Sequence, residues 1–543
     1  MQNGIYRLRK LDNEAVKSYL PGNPERTELK QKLTTLKNTE IEIPLIIGGK
    51  EIKTGNIGTC VIPHNHQHVL ARYHIAGEKE LNLAIEASIQ AKKEWENTPW
   101  EHRAAIFMKA AELLAGPWRS TVNAATMLCQ SKTAYQAEID AACELIDFLR
   151  FNVYFMQEIY EEQPISTDGV WNRIDYRPLE GFVLAVTPFN FTAIGGNLPT
   201  APAMLGNVVN WKPASTAVYS NYFVMKLLQE AGLPDGVINF IPSRGSDVER
   251  TMIGSRWLSG IHFTGSTEVF NTMWRQVANH INRYRGYPRL VGETGGKDFI
   301  FAHPSVEIDE LAAALIRGAF EYQGQKCSAA SRAYIPRSIW GELKDKLLEQ
   351  LRTIKMGDVE DFRNFMGAVI DQKSFQNIKE YIEYADQASD AKIFYGGRCD
   401  DSIGYFVEPT VIFTSNPRFR TMEEEIFGPV LTIYAYDDNA LEETLNLCDT
   451  TSPYGLTGAI FAKDRGAIVS MEQRLRHSAG NLYINDKPTG AVVGQQPFGG
   501  GRASGTNDKA GSKLNLLRWV NPRTIKETFV PSKSYAYPYM TEE

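Results

Sequence analysis

Apolar residues recur at spacings of three and four through residues 77–95 and 100–115, so both segments are expected to be amphipathic helices. The spacing continues through 121–129 and 135–160, where apolar side chains fall at 139, 142, 145, 146, 149 and 153. A shorter helix is expected at 13–20, ended by the Pro21–Pro24 break, and residues 44–52 read as a hairpin turning at Gly48 and Gly49. The pattern then shortens. Residues 170–176 alternate roughly at period two, which predicts a strand outside the helical layer.

From Gly181 the chain reads as strand and helix in turn. Strands are expected at 182–187, 208–211, 237–241 and 260–263, with helices at 193–205, 221–231, 248–253 and 267–279. A second series follows, with strands at 299–302, 332–335, 406–412, 430–436, 457–461 and 481–484. Its helices are expected at 309–322, 339–354, 441–448 and 468–474. This alternation predicts parallel sheets covered on both faces, hence an α/β protein with two such units meeting near 293–298. A strand within 514–529 is expected to pair with the 170–176 arm.

At 543 residues the chain exceeds a single core. A formal charge of −6 gives no reason to expect a nucleic-acid partner. No apolar run reaches the roughly 18–20 residues of a bilayer span, so no membrane partner is expected either. Six scattered cysteines without a CxxC pair suit free thiols in a reducing compartment, with no metal site. The start, residues 1–10, is basic but lacks an apolar stretch and meets acids at once, so a cytoplasmic location is expected.

The candidate chemistry centres on Cys327, at a turn between a helix and a strand, flanked by Lys326 and Ser328. These polar and partly cationic neighbours are expected to favour the thiolate. Asn190, closing the strand 182–187, is a side-chain amide of the kind an oxyanion hole uses, or a helix cap. Glu293, followed by Gly295 and Gly296, is a carboxylate that a confined cleft would turn into a base toward water, or an exposed turn residue. Lys212 ends a buried strand, where ligands of doubly wound sheets sit. The turn Thr264–Ser266 opens a helix whose start suits a pyrophosphate, although it lacks the GxGxxG fingerprint.

Taken in order, the segments 187–190, 211–214, 263–266, 293–296, 324–327, 425–429 and 497–500 resemble the aldehyde dehydrogenase superfamily from about residue 45 to 529. The stretches 189–197, 324–329, 490–500 and 503–508 are similar to its glutamate-semialdehyde-oxidising branch. The resemblance implies an aldehyde dehydrogenase fold: a Rossmann-like NAD-binding domain (1–166 and 181–292), an α/β catalytic domain (293–495) and a small β oligomerisation flap (167–180 and 496–543). It implies Cys327 as nucleophile, Asn190 as oxyanion donor and Glu293 as hydrolytic base. It implies NAD bound by Thr187, Phe189, Lys212, Ser215, Gly265, Ser266, Glu425 and Phe427, with NADP expected to be weaker. Relatives often carry Glu at position 215, where it holds the ribose 2′-hydroxyl, so Ser215 leaves the choice between NAD and NADP open. For the small-molecule substrate it implies Glu144, Phe191, Lys326, Ser328, Gly490, Ala491 and Phe498. It implies a homodimer or an assembly of dimers. A CoA-acylating semialdehyde dehydrogenase is the competing enzyme reading, and Glu293 argues against it because a thiol acceptor needs no hydrolytic base.

Overall fold

The structure is a computed structural model that describes residues 4, 6–8 and 11–542. Of the basic stretch 1–10 read above, residues 1–3, 5, 9 and 10 lie outside the described residues.

Two seven-stranded sheets organise the chain. In the first, the neighbours run Arg289–Glu293, Leu258–Thr264, Phe182–Val186, Val208–Lys212 and Ile238–Phe240, all parallel. The antiparallel hairpin Leu45–Ile47 and Lys50–Ile52 completes it, turning at Gly48 and Gly49, both at positive φ. The chain builds outward from Phe182–Val186 in one direction, then returns to its other side with Leu258–Thr264. That reversal is the crevice where open α/β sheets bind ligands beyond their carboxyl strand ends. The central strands Phe182–Val186 and Leu258–Thr264 are buried throughout, as a sheet covered on both faces requires.

The second sheet runs Ala391–Tyr395, Thr410–Thr414, Val430–Tyr436, Ala330–Pro336, Asp298–Ala302, Thr457–Phe461 and Asn481–Ile484, with only the first strand antiparallel. Separate apolar clusters lie on its two faces. Arg289–Glu293 passes through Thr294–Lys297 directly into Asp298–Ala302, so Glu293 stands where the chain leaves one sheet for the other.

The arm Val170–Pro178 pairs antiparallel with Val520–Thr528 over its whole length, from Val170 opposite Thr528 to Pro178 opposite Val520. Before reaching the arm, the chain from 498 to 510 packs beside Glu293: Gly505 bridges to Glu293, and Thr294 N–H donates to Ser504 O.

The expectations fail in identifiable places. Residues 13–20 are not helical. Their backbone donors are taken by a neighbouring helix instead, Glu14 N–H by Asp147 and Lys17 N–H by Glu138. The helix comes later, at Pro24–Lys37, with proline at its first turn and Leu29 and Leu33 buried. The helix expected at 248–253 is a short α-turn, Gly245–Val248, followed by the π-turn Glu249–Ile253. The strand expected at 406–412 is broken at Glu408–Pro409 into Phe406–Val407 and Thr410–Thr414, which belong to different sheets. The helix expected to run to Tyr322 stops at Phe320. Tyr322 and Gln323 then take left-handed conformations, and Gly324 has φ +65°. A Cβ at Gly324 would stand 2.2 Å from the Gly428 carbonyl oxygen, so this tight turn requires glycine.

Candidate active site

Cys327 follows that turn and lies at the amino end of the strand Ala330–Pro336. Its thiol donates to Glu293 Oε1 at 3.5 Å. Asn190 lies just beyond the strand Phe182–Val186, and its Nδ2 donates to the carbonyl of Gln325 at 3.0 Å, two residues before the cysteine. The three side chains therefore converge from three distant segments. With one N–H of Asn190 on the cysteine loop, the other is free to meet a developing negative charge.

The electrostatics differ from the expectation of a thiolate-favouring setting. Burial and the nearby carboxylates of Glu293, Asp298 and Glu425 push the Cys327 thiol well above its ordinary range. Lys326 does not offset this, because its ammonium pairs with Glu321 at 3.2 Å. Burial raises Glu293 to about 7, against lowering contributions from the Cys327 thiol and the charge of Lys509. Glu425 is likewise raised to about 7 by burial, while accepting the N–H of Gly296 at 2.8 Å. The resting thiol is thus protonated, with a carboxylate tuned near neutrality as its hydrogen-bond acceptor.

On the crevice side, Ser266 caps the helix Thr267–Asn279, its oxygen accepting from Val269 N–H at 3.4 Å. A Cβ at Gly265 would stand 2.7 Å from the Phe263 ring, so only a bare backbone fits there. Lys212 ends its strand with its ammonium 3.4 Å from the Pro213 carbonyl, and burial lowers its pKa. Ser215 opens the next short turn and is exposed. Thr187 accepts from the Trp211 indole at 3.0 Å. The rings of Phe189 and Phe427 meet edge to face at 5.8 Å, with Phe427 held at φ +58°. A helix start of ordinary length, a glycine cradle and a confined lysine at the reversal of strand order fit a dinucleotide.

On the other side of Cys327 lies a cavity of about 790 Å³, within the roughly 300–1,000 Å³ of small-molecule sites. It brings together Glu144, Phe191, Lys326, Ser328, Gly490, Ala491 and Phe498. Gly490 has φ +99°, and Ser328 Oγ donates to Thr489 Oγ1 at 2.8 Å. Burial beside Asp140 and Glu293 pushes Glu144 well above the carboxylate range.

Some residues of this site escape the sequence reading. Asn13, Glu14 and Tyr19 wall the outer cavity, from a segment read as a helix. Lys509 approaches Glu293 while its ammonium is held by the carbonyls of Gly480 and Gly499 at 2.8 and 2.9 Å. It comes from an aperiodic stretch that offers no signal. Lys132 and Asp140 lie buried behind Phe191, and only an ion-forming pair within an apolar helical pattern hints at them.

The model of the aldehyde dehydrogenase family matches residues 53–525. The chain is 56% identical over 533 residues to the delta-1-pyrroline-5-carboxylate dehydrogenase, mitochondrial, of Dictyostelium discoideum, covering 98% of this chain and 96% of that one. It is 50% identical over 532 residues to the Homo sapiens protein of the same name, covering 98% and 94%. The crystal structure of the Delta-pyrroline-5-carboxylate dehydrogenase from Mycobacterium tuberculosis bound with NAD superposes with a TM-score of 0.97 at 51% identity, covering both chains fully. These names overturn the cytoplasmic expectation, since the Dictyostelium, mouse, cattle and human relatives are all named mitochondrial. That expectation rested on the early acids Asp12 and Glu14 and on unpaired cysteines; acids near the start do not fix a compartment, and a reducing environment is not unique to the cytoplasm.

Proposed function

The chain belongs to the aldehyde dehydrogenase family, and from that premise we infer that it oxidises L-glutamate γ-semialdehyde, the hydrolysed form of 1-pyrroline-5-carboxylate, to L-glutamate with NAD. This is the second step of proline degradation. The observation that carries the reading is the near-full-length likeness to enzymes named for that activity.

Each residue's role is our assignment. Glu293, ionised above about pH 7, takes the proton that the Cys327 thiol already directs at it. The sulfur anion attacks the aldehyde carbon, forming a thiohemiacetal whose oxyanion is held by the Asn190 amide and the Cys327 backbone N–H. One such donor is worth about 2.7–4 kcal/mol in a dry site. NAD, when bound, supplies the hydride acceptor, and Cys327 is then left as a thioester. Glu293 releases the thiol's proton to solvent and then draws another from water, whose oxygen attacks the thioester carbon; the thiolate leaves and recovers the proton from Glu293. A carboxylate beside the sulfur favours hydrolysis over transfer to CoA. Lys212 and Ser215 would hold the adenosine ribose, Gly265 and Ser266 the pyrophosphate, and Glu425 with Phe427, Thr187 and Phe189 the nicotinamide end. Ser215 supplies no carboxylate to repel a 2′-phosphate, so NADP is accepted more weakly, not refused.

Ser328, Gly490 and Ala491 would anchor the substrate's α-carboxylate and amine, Phe191 and Phe498 flank its methylenes, and Glu144 and Lys326 assist. We further assign residues 1–166 with 181–292 to cofactor binding, 293–495 to catalysis, and 167–180 with 496–543 to an oligomerisation arm and tail. The paired arm strands, with Trp171 and Phe529 half exposed or more, support a homodimer or an assembly of dimers.

A comparison of NAD reduction with glutamate semialdehyde, succinate semialdehyde and acetaldehyde tests the function. Glutamate semialdehyde should have the highest kcat/KM; a higher value for either competitor would refute the substrate.

A further inference from the structure

Two loops must stay in register for the chemistry above. One carries Asn190 and Phe191; the other runs from Tyr322 to Cys327. Between them lies an ion pair that the mechanism does not use. Lys132 Nζ meets Asp140 Oδ2 at 2.6 Å, and both side chains are 1% exposed. The same ammonium sits 4.2 Å from the Phe191 ring centroid and 4.4 Å from that of Tyr322. Asp140 lies in the π-helical segment Glu138–Glu144, a kind of irregularity common at functional sites. Its Oδ2 also accepts the N–H of Thr192 at 3.1 Å, and its Oδ1 that of Ala193 at 2.8 Å. These amides open the helix Thr192–Met204, directly after Phe191. On the other side, Gln323 Nε2 donates to the carbonyl of Ser131, beside Lys132, at 3.1 Å.

Stability alone does not explain such a pair, because desolvation offsets most of the attraction between buried charges and apolar replacements are often as stable. A cation between two ring faces and an acceptor for two amides do something an apolar pair does not: they fix two loops at once. We propose that Lys132 and Asp140 are positioning residues, holding Phe191 against Tyr322 so that the aldehyde is presented to Cys327 in line with Asn190. The other charged groups about this cluster are Glu144, Lys326 and Glu321. Lys326 is already paired with Glu321, so it does not substitute for Lys132.

The inference rests on the assignment of Cys327 and Asn190, and its test is separable from that of the substrate. Lys132→Met keeps the stem and removes the charge; the double variant Lys132→Met with Asp140→Asn removes the stranded carboxylate as well. Both are compared with wild type for kcat/KM on glutamate semialdehyde and on propanal, NAD affinity by fluorescence, and thermal midpoint. Misalignment of about 1 Å costs about 100-fold in rate, so the folded double variant should lose about that much on glutamate semialdehyde. It should lose less on propanal, which lacks the chain that Phe191 flanks, and NAD affinity should stay within about twofold. A folded double variant with wild-type kcat/KM and an unchanged ratio between the two aldehydes overturns the proposal. So does one that no longer folds, because the pair would then serve the fold itself. If wild type prefers another aldehyde, the substrate assignment fails, while the change in aldehyde ratio still reports on the pair.

Discussion

Replacing Glu293 by Gln tests the mechanism and its electrostatics together. The substitution keeps shape and removes a titration. Burial raises this carboxyl from 4.5 to about 7. The folded state therefore binds the proton more tightly than the unfolded chain. The stability it contributes is complete below pH 4.5 and is lost as pH rises through about 7. The full difference is at most about 3.4 kcal/mol, at 1.36 kcal/mol for each of roughly 2.5 pH units. Part of the side chain meets water, which reduces the figure. Glu293→Gln should therefore unfold at a higher temperature than wild type at pH 8, and the gap should close by pH 5. Kinetically, loss of a general base costs about 10²–10⁴-fold. Stopped-flow NADH absorbance should show a first turnover of about one NADH per subunit, slowed because the thiol has lost its proton acceptor. The hydrolytic steady state should be slowed further. An unchanged steady rate, or a stability gap equal at pH 5 and pH 8, would refute the reasoning.

Other outcomes follow from the same geometry. Cys327→Ala should abolish oxidation while NAD still binds, read by protein fluorescence quenching; surviving turnover dismisses the nucleophile. Ser328→Ala, which loses the hydroxyl bonded to Thr489, should raise KM for glutamate semialdehyde about tenfold and leave propanal nearly unchanged, since a hydrogen bond to a charged group is worth about 1.5–3 kcal/mol; equal losses on both would remove the anchor. Binding of the oxidised cofactor, whose nicotinamide ring carries a positive charge, should strengthen between pH 6 and 8, as Glu293 and Glu425 ionise near 7, with NADH much less affected; calorimetric affinities that are flat with pH would contradict it. Light scattering should report a dimer or its multiples, and a monomer at micromolar concentration would count against the arm.

Where periodicity was strong, the pattern was enough to locate elements. Thr267–Asn279, Val430–Tyr436, Thr457–Phe461 and Asn481–Ile484 fall on their expected bounds. The arm's partner was legible too, because both strands lie outside the α/β rhythm. Failures came where tertiary contacts supply what local structure would otherwise provide. Residues 13–20 have helical composition, but Asp147 and Glu138 take their amides. Tyr322 and Gln323 enter the left-handed region in the turn that leads to Cys327, and no local propensity reveals that. Motifs named Cys327, Glu293 and Asn190, which the fold brings together, but they did not reveal the charge balance around them. Lys326 adjoins Cys327 in sequence, yet its ammonium faces Glu321. Charge in a folded site follows side-chain direction, which the linear order of residues does not contain.

The charge balance has a consequence of its own. Glu293, Glu425 and Asp298 are acids gathered around Cys327, and each raises the thiol's affinity for its proton. The cation nearest in sequence is committed to Glu321, and Lys509 is tied to backbone carbonyls. Held this way, the thiol proposed as nucleophile is poor at rest. A thiol reacts with oxidants and alkylators through its anion, so the resting site protects its own sulfur. The same acids become an asset once positive charge enters the cleft, because a cation among these groups lowers the proton affinity of each. On the mechanism proposed above, reactivity is coupled to occupancy: the sulfur becomes a nucleophile when the positively charged ring of the oxidised acceptor is already present, and it returns to the thiol after water has cleaved the thioester. Acids gathered around a cysteine, which would be a defect in a free-standing nucleophile, favour on this proposal a sequence in which the oxidised acceptor binds before the sulfur reacts.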